Sequence, residues 1–134
     1  MPEEELKVER PFQHNLFKMV KLESLKKSNQ FKKVLKEKKA HSEFFSIFAA
    51  KKIFRPKYKS NLLISFVMKK KIGNAVKRNK IRRKLKAIVQ KLLKKRGAIS
   101  KDYTYIVFGK SNAYKQKQNV LKPLMEKCFN KIKI

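Results

Sequence analysis

The chain has 134 residues, a formal net charge of +29 and a pI near 10.5, with 42% hydrophobic residues and ten Phe. This is the length of one domain, and the apolar content can build a core, which excludes a globally disordered chain. The charge predicts a polyanionic partner, either a nucleic acid or an anionic membrane surface. No apolar run approaches the length of a membrane span, so we expect no membrane-spanning segment.

Residues 1–21 are predicted to form a disordered N-terminal extension, because they hold four of the nine acids and show no clean period. The acidic start argues against a targeting peptide. Residues 22–134 are expected to form a single domain. The lone cysteine, Cys128, excludes an intrachain disulfide and fits the reducing cytoplasm.

The first half of this domain is predicted to contain a helix followed by two strands. Ser28 is a reasonable N-cap for a helix that runs to about Lys38 and carries Phe31, Val34 and Leu35 on one face. The Phe-rich residues 43–54 favour a strand, and residues 55–60 contain Pro56 and favour a loop. Residues 61–69 are apolar on both faces, which is typical of a central strand.

The second half is predicted to contain a long helix, a strand and a short helix. The long helix runs from Asn74 to Arg96, with Gly97 as its C′ residue, because its apolar residues recur at helical spacing. A strand is expected over residues 103–109. Pro123 suits the first turn of a helix, so the last helix is expected from Lys122 to Lys131, with Val120 and Leu121 in an earlier turn.

Residues 69–96 hold fourteen Lys or Arg and no acid. Folding alone gives no reason to exclude acids, because pairs of opposite charge four residues apart stabilise a helix. Basic residues also crowd the helix N-terminus, where the helix dipole disfavours them, at Lys77 and Arg78. This pattern indicates that phosphate binds at the start of the helix. On the helical wheel Asn79, Arg82 and Lys86 form a stripe beside the apolar face, where a groove could run.

These residues resemble a known family. Residues 70–83, KKIGNAVKRNKIRR, resemble the signature of the bacterial ribonuclease P protein subunit, and residues 24–31, SLKKSNQF, resemble the opening of that family. The resemblance covers roughly residues 22–132. Lys80 stands where the signature usually has its second Arg, which keeps the charge and loses the bidentate fork.

The resemblance implies an α+β fold of order αβββαβα, with a mixed four-stranded sheet and a left-handed βαβ crossover, like the second domain of ribosomal protein S5. The sequence itself shows one strand fewer. We therefore expect either that residues 43–54 bend into two strands or that the junction between two strands lies within residues 55–60.

The resemblance also implies a function and two binding sites for residues 22–134 as a single RNA-binding domain. The protein would be the non-catalytic subunit of ribonuclease P, whose RNA subunit removes the 5′ leader of precursor tRNA with bound Mg²⁺. One site would bind the RNA subunit, through Lys70, Lys71, Arg78, Asn79, Lys80 and Arg83. The other would be a cleft for the single-stranded leader, lined by Phe31, Leu35, Phe45, Arg82 and Lys86, although the register of the first strand leaves its aromatic residue open.

The sequence holds no sign of side-chain catalysis. His14, His41 and Cys128 are isolated, so no metal site is expected, and the carboxylates form no pair suited to two-metal hydrolysis. We therefore expect no catalytic residue and no cofactor bound by the protein alone.

Three other functions compete with this interpretation. A ribosomal or ribosome-assembly protein would have similar size and charge, and only the motif over residues 70–83 argues against it. A DNA-binding module would need base-reading side chains in the first turn of the helix. A membrane-active helix would need a broader apolar face.

Overall fold

The computed structural model describes residues 21–51, Pro56, 61–95 and 97–133. Residues 1–20 of the predicted extension over 1–21, and nearly all of the predicted loop at 55–60, lie outside the described residues. The elements are strands β1 (Leu22–Glu23), β2 (Lys38–His41), β3 (Phe45–Lys51), β4 (Leu62–Val67) and β5 (Tyr103–Gly109), and helices α1 (Ser28–Leu35), α2 (Ala75–Leu93) and α3 (Gln118–Lys133). Two 3-10 turns, Lys70–Ile72 and Ser111–Lys115, precede α2 and α3.

The strands form one mixed sheet in the order β1-β4-β5-β3-β2. The two central neighbours, β4 and β5, are parallel and are joined through α2, whereas β3 is antiparallel to both β5 and β2. The order of the main elements is therefore the expected αβββαβα, and the α+β class is confirmed. The sheet also has a fifth strand, because the two residues of β1 pair with the start of β4 at the edge.

The strand missing from the sequence-based reading is β2, and it lies before residues 43–54 instead of within or after them. Its sequence, KKAH, has a single apolar residue, Ala40, which is buried between exposed neighbours. Pairing with β3 holds this segment in the sheet, through a register that sets Ala40 opposite Ile47. The predicted helix end at Lys38 was wrong for the same reason, since α1 stops at Leu35 and Lys38 begins β2.

Alternate residues of each strand pack against different helices. On one face Phe45, Ile47 and Ala49 join the main core, which α2 and α3 cover with residues such as Leu85 and Phe129. On the other face α1 covers a smaller cluster of Leu25, Val34, Ala50, Leu63 and Ile106. The helices α1 and α2 therefore pack on opposite sides of the sheet.

Both ends of α2 differ from the sequence-based prediction by no more than a few residues. Asn74 is its N-cap as predicted, since the Asn74 Oδ1 accepts a hydrogen bond of 3.0 Å from the backbone N–H of Lys77. The helix ends at Leu93 with Lys94 as its C-cap, so Gly97 is not the C′ residue. The positive φ of 78° at Gly97 belongs instead to the turn that follows.

Helix α3 begins at Gln118, four residues earlier than predicted, and Pro123 lies inside it. Leu121 is fully buried in the main core, and this burial favours the helix across its first turns. The ring of Pro123 is on the exposed side. The missing N–H of Pro123 therefore removes one helical hydrogen bond without interrupting the packing of the buried face.

Candidate nucleic-acid interface

The chain passes from the 3-10 turn Lys70–Ile72 into α2 through Gly73. Its φ of 154° and ψ of −162° lie in a region that is essentially restricted to glycine. The Arg78 guanidinium reaches back over this turn, and its Nε donates a hydrogen bond of 3.2 Å to the Gly73 carbonyl. This hydrogen bond holds Arg78 beside the residue that follows the basic turn, and the backbone conformation of that residue favours glycine.

Replacement of Gly73 by Ala is expected to destabilise the protein by about 1–3 kcal/mol, because it forces a Cβ into strained backbone. That Cβ would also lie 2.9 Å from the Lys77 Cδ. Thermal denaturation measures the loss. The matched control is Gly97→Ala, also at positive φ but with open space around the added Cβ. Both variants should lower the melting temperature, and only Gly73→Ala should weaken RNA binding; equal affinities would show that the turn does not shape the interface.

The six residues predicted to bind the RNA subunit lie in this turn and in the first half of α2. Lys70 and Lys71 are exposed in the 3-10 turn, and Asn79, Lys80 and Arg83 are exposed on α2, whereas Arg78 is half-buried. Asn79 accepts a hydrogen bond of 2.7 Å from the Arg82 Nη1 through its Oδ1. Its amide therefore orients a neighbouring guanidinium. The structure brings the six together as one basic patch, and their contact with RNA remains a prediction.

Tyr114 belongs to this patch and was missed in the sequence. Its ring lies 5.3 Å from the Lys77 Nζ and 5.1 Å from the Lys80 Nζ, so it makes cation–π contacts with both ammonium groups. The Lys77 Nζ also donates a hydrogen bond of 3.0 Å to the Ser111 Oγ. No sequence signal links Tyr114 to Lys77 and Lys80, because it lies more than thirty residues after both of them along the chain.

A groove of about 650 Å³ opens beside the patch, on the face of the sheet that α1 covers only in part. Leu35, at the end of α1, forms one wall and is 37% exposed. Ser46, Phe48 and Phe108 form the floor, and the segments before α2 and after β5 form the far wall, with Lys69, Lys71, Ile72, Gly109, Lys110 and Ser111. The groove therefore has an apolar floor and a basic rim.

The floor carries a row of aromatic rings that crosses the strands. The Phe48 and Phe108 rings meet edge to face with their centroids 5.4 Å apart, and the His41 ring meets Phe48 at 5.8 Å. The Lys69 Nζ lies 5.7 Å from the Phe108 centroid. The His41 Nδ1 is 2.8 Å from the Ser46 Oγ, which holds the imidazole against the row. Half-buried rings beside ammonium groups suit the stacking of unpaired bases and the binding of their phosphates.

The structure places the five residues predicted for the leader cleft in different parts of the molecule. Leu35 lines the groove, and Phe31 packs half-buried against the α1-side cluster beside it. Phe45 is fully buried on the opposite face of the sheet, so its predicted place in the cleft is wrong and Phe48 takes that place. The register of β3 decides this, because residues 44–48 are apolar enough to face either way.

The two predicted cleft residues on α2 also lie elsewhere, since α2 packs on the other side of the sheet from α1. Lys86 lines a shallow basic depression between α2 and the start of α3, together with Lys80, Arg83 and Lys84. Arg82 points its guanidinium toward Asn79 in the basic patch. The helical wheel placed both residues correctly beside the apolar face, but it could not show which side of the sheet that face covers.

Within the described part of the chain, no group of three or more His, Cys, Asp or Glu side chains is arranged to hold a metal ion. None of the helices over the same residues is long and apolar enough to cross a membrane.

Solved ribonuclease P proteins have this fold. The Thermotoga maritima RNase P protein superimposes with a TM-score of 0.63 at 21% identity, over 81% of this chain and 96% of that chain. The Staphylococcus aureus RNase P protein superimposes with a TM-score of 0.59 at 24% identity, over 83% and 95% of the two chains. The architecture is therefore that of the ribonuclease P proteins.

Sequence comparison gives the same family. The sequence profile of the family Ribonuclease P matches residues 19–133. The ribonuclease P protein component of Mycoplasma capricolum is 30% identical over 110 residues, which are 81% of this chain and 94% of that relative. This chain belongs to the ribonuclease P protein family, and it is thus a protein component of a tRNA-processing enzyme.

Proposed function

We propose that the protein binds the RNA subunit of ribonuclease P through its basic patch and the 5′ leader of precursor tRNA through its groove. In this role it assists the endonucleolytic removal of the leader, which the RNA subunit catalyses with Mg²⁺ in the bacterial cytoplasm. The observation that carries the proposal is the aromatic floor of the groove, formed by Phe48 and Phe108, which lies directly beside the basic residues 69–71.

The division between the two surfaces follows from their chemistry. Exposed Lys and Arg on a convex helix can neutralise the phosphates of a folded RNA and carry little sequence information. The groove adds stacking surfaces, which accept any unpaired base because every base has a π-face. We therefore assign Lys70, Lys71, Arg78, Asn79, Lys80 and Arg83 to the RNA subunit, and Phe31, Leu35, Phe48, Phe108 and Lys69 to the leader.

We assign Arg82 and Lys86 also to the surface that binds the RNA subunit. Arg82 is bonded to Asn79, a member of the patch, and Lys86 shares the depression on α2 with Lys80 and Arg83. Both residues would then contribute to phosphate neutralisation and not to stacking.

Protein purified free of RNA is expected to cleave no precursor tRNA at any Mg²⁺ concentration, because the side chains over the described residues form no metal-binding group that could support hydrolysis. Adding ribonuclease P RNA at low Mg²⁺ should produce cleavage at the mature 5′ end, faster than with the RNA alone. Gel analysis of labelled precursor tRNA measures both reactions. Cleavage by the protein alone would overturn the non-catalytic role, and equal rates with and without protein would overturn the assisting role.

A further inference from the structure

Lys84 lies in the middle of α2, half-buried beneath the basic patch, and it points at protein backbone. Its Nζ donates hydrogen bonds to three carbonyl oxygens, those of Ala113 at 3.1 Å, Tyr114 at 2.8 Å and Gln116 at 2.6 Å. A lysine ammonium has three donors, and all three are used here. Lys84 therefore has no free donor for a phosphate, unlike the exposed Lys80 and Arg83 on the same helix.

Two of the three carbonyls belong to the end of the 3-10 turn Ser111–Lys115, and the third belongs to its C-cap residue, Gln116. Carbonyls at the end of a helical turn lack partners within the turn and attract a positive charge. Burial, and secondly the charge of Lys80, lower the pKa of Lys84. A half-buried ammonium among other basic groups is unfavourable unless its hydrogen bonds are complete, which indicates that this position serves to hold the turn.

The turn carries two side chains that contact Lys77 and Lys80 on α2. Tyr114 presents its ring to Lys77 and Lys80, and Ser111 accepts the hydrogen bond from Lys77. The buried Ala113 between them seats the turn in the main core. Without the Lys84 ammonium, three carbonyls would each lose a hydrogen bond, and the Ala113 carbonyl would keep the one from the Gln116 N–H. The turn that carries Tyr114 would then rest mainly on the packing of Ala113 and Tyr114 against the main core.

We propose that Lys84 is a positioning residue for RNA binding, which pins the turn Ser111–Lys115 so that Tyr114 and Ser111 hold the ammonium groups of Lys77 and Lys80 in place. Ordering two long side chains before RNA arrives lowers the entropy lost on binding. The role rests on the proposed function, since it matters only if the patch binds RNA. Lys80 has a flexible ammonium and lacks the rigid guanidinium fork of Arg. The Tyr114 ring, held in place by Lys84, restricts this ammonium and so compensates for the missing fork.

The test is a double-mutant cycle on affinity for ribonuclease P RNA. Lys84→Met should weaken binding about three- to thirty-fold in the native chain, and less than about two-fold when Lys77 and Lys80 are already Met, because coupled residues are not additive. Lys94→Met, at the exposed C-cap of α2, controls for loss of one charge on the same helix. If Lys84 contacts phosphate itself, its loss will be equal in both backgrounds and the salt slope will fall by about 0.7–0.9, which overturns the proposal.

A second measurement needs no RNA, so it separates this proposal from the proposed function. The ε-methylene protons of Lys77 and Lys80 should be shifted upfield by the Tyr114 ring in the native protein. Both Lys84→Met and Tyr114→Leu should return them toward the values of free lysine, with melting temperatures recorded for each variant. Unchanged shifts in folded Lys84→Met would overturn the positioning role. If Lys84→Met does not fold, Tyr114→Leu must weaken RNA binding by a similar factor for the proposal to stand.

Discussion

The affinity of the protein for ribonuclease P RNA should fall about 10³- to 10⁴-fold between about 50 and 200 mM monovalent salt. The surface proposed for the RNA subunit has seven charged members, Lys70, Lys71, Arg78, Lys80, Arg82, Arg83 and Lys86. If each neutralises one phosphate, released counterions give a log–log slope of about −4.9 to −6.3. Fluorescence anisotropy of labelled RNA at a series of salt concentrations measures the slope.

A single substitution makes this expectation specific to the patch. Arg83→Gln should weaken binding and reduce the slope by about 0.7–0.9, with little change in melting temperature, because Arg83 is exposed. The control is Lys101→Gln, an exposed residue just before β5, at the end of the strands away from the turn that leads into α2. Equal changes in slope for the two variants would mean that total charge, and not this patch, determines binding.

The second large effect concerns two phenylalanines of one strand, whose side chains lie on opposite faces of the sheet. Phe48→Ala should weaken the binding of precursor tRNA to the holoenzyme by about 1–3 kcal/mol, the value of one lost base stack. Mature tRNA has no leader, so its affinity should not change. Phe48 is only half-buried, and its removal should lower the melting temperature modestly.

Phe45→Ala is the matched control, because it removes the same group three residues away. Phe45 is fully buried in the main core, so we expect a loss of about 3–5 kcal/mol of folding stability from the cavity. At temperatures where Phe45→Ala stays folded, the ratio of its affinities for precursor and mature tRNA should match the ratio for the native protein. The groove assignment fails if Phe48→Ala leaves this ratio unchanged, or if Phe45→Ala alters it as strongly.

Several elements could be predicted because their signals are local. The strand over residues 103–109 was predicted with its observed bounds, and Asn74 was identified as the cap of α2. The face of α2 that carries Ile81, Leu85 and Ile88 is buried as its periodicity indicated. The basic patch also was predictable as a group, since its members lie within one turn and the first part of one helix.

The elements that were missed depend on partners distant in the chain. β2 has almost no apolar pattern of its own and exists because β3 offers hydrogen-bonding groups in register. The first turns of α3 form against an intrinsic preference, since burial of Leu121 outweighs the bond that Pro123 removes. Propensity and periodicity describe each segment alone, whereas pairing and burial are properties of the assembled sheet.

The sequence by itself determined the chemistry of this protein: its positive charge, the helix that concentrates that charge, the family signature and the number of aromatic residues available. Only the tertiary structure decided which of those residues meet. In β3 the side chain of Phe48 lies in the groove and that of Phe45 lies in the core, because successive side chains of a strand point to opposite faces of the sheet. Pairing with β5 sets the register of β3 and therefore decides which residue faces which side. The packing of α2 on the face opposite α1 moves Lys86 away from the groove, and the same packing brings Tyr114 and the carbonyls bound by Lys84 to the helix. A helix and a strand each define their own faces, but what each face meets depends on contacts between residues that are far apart in the chain.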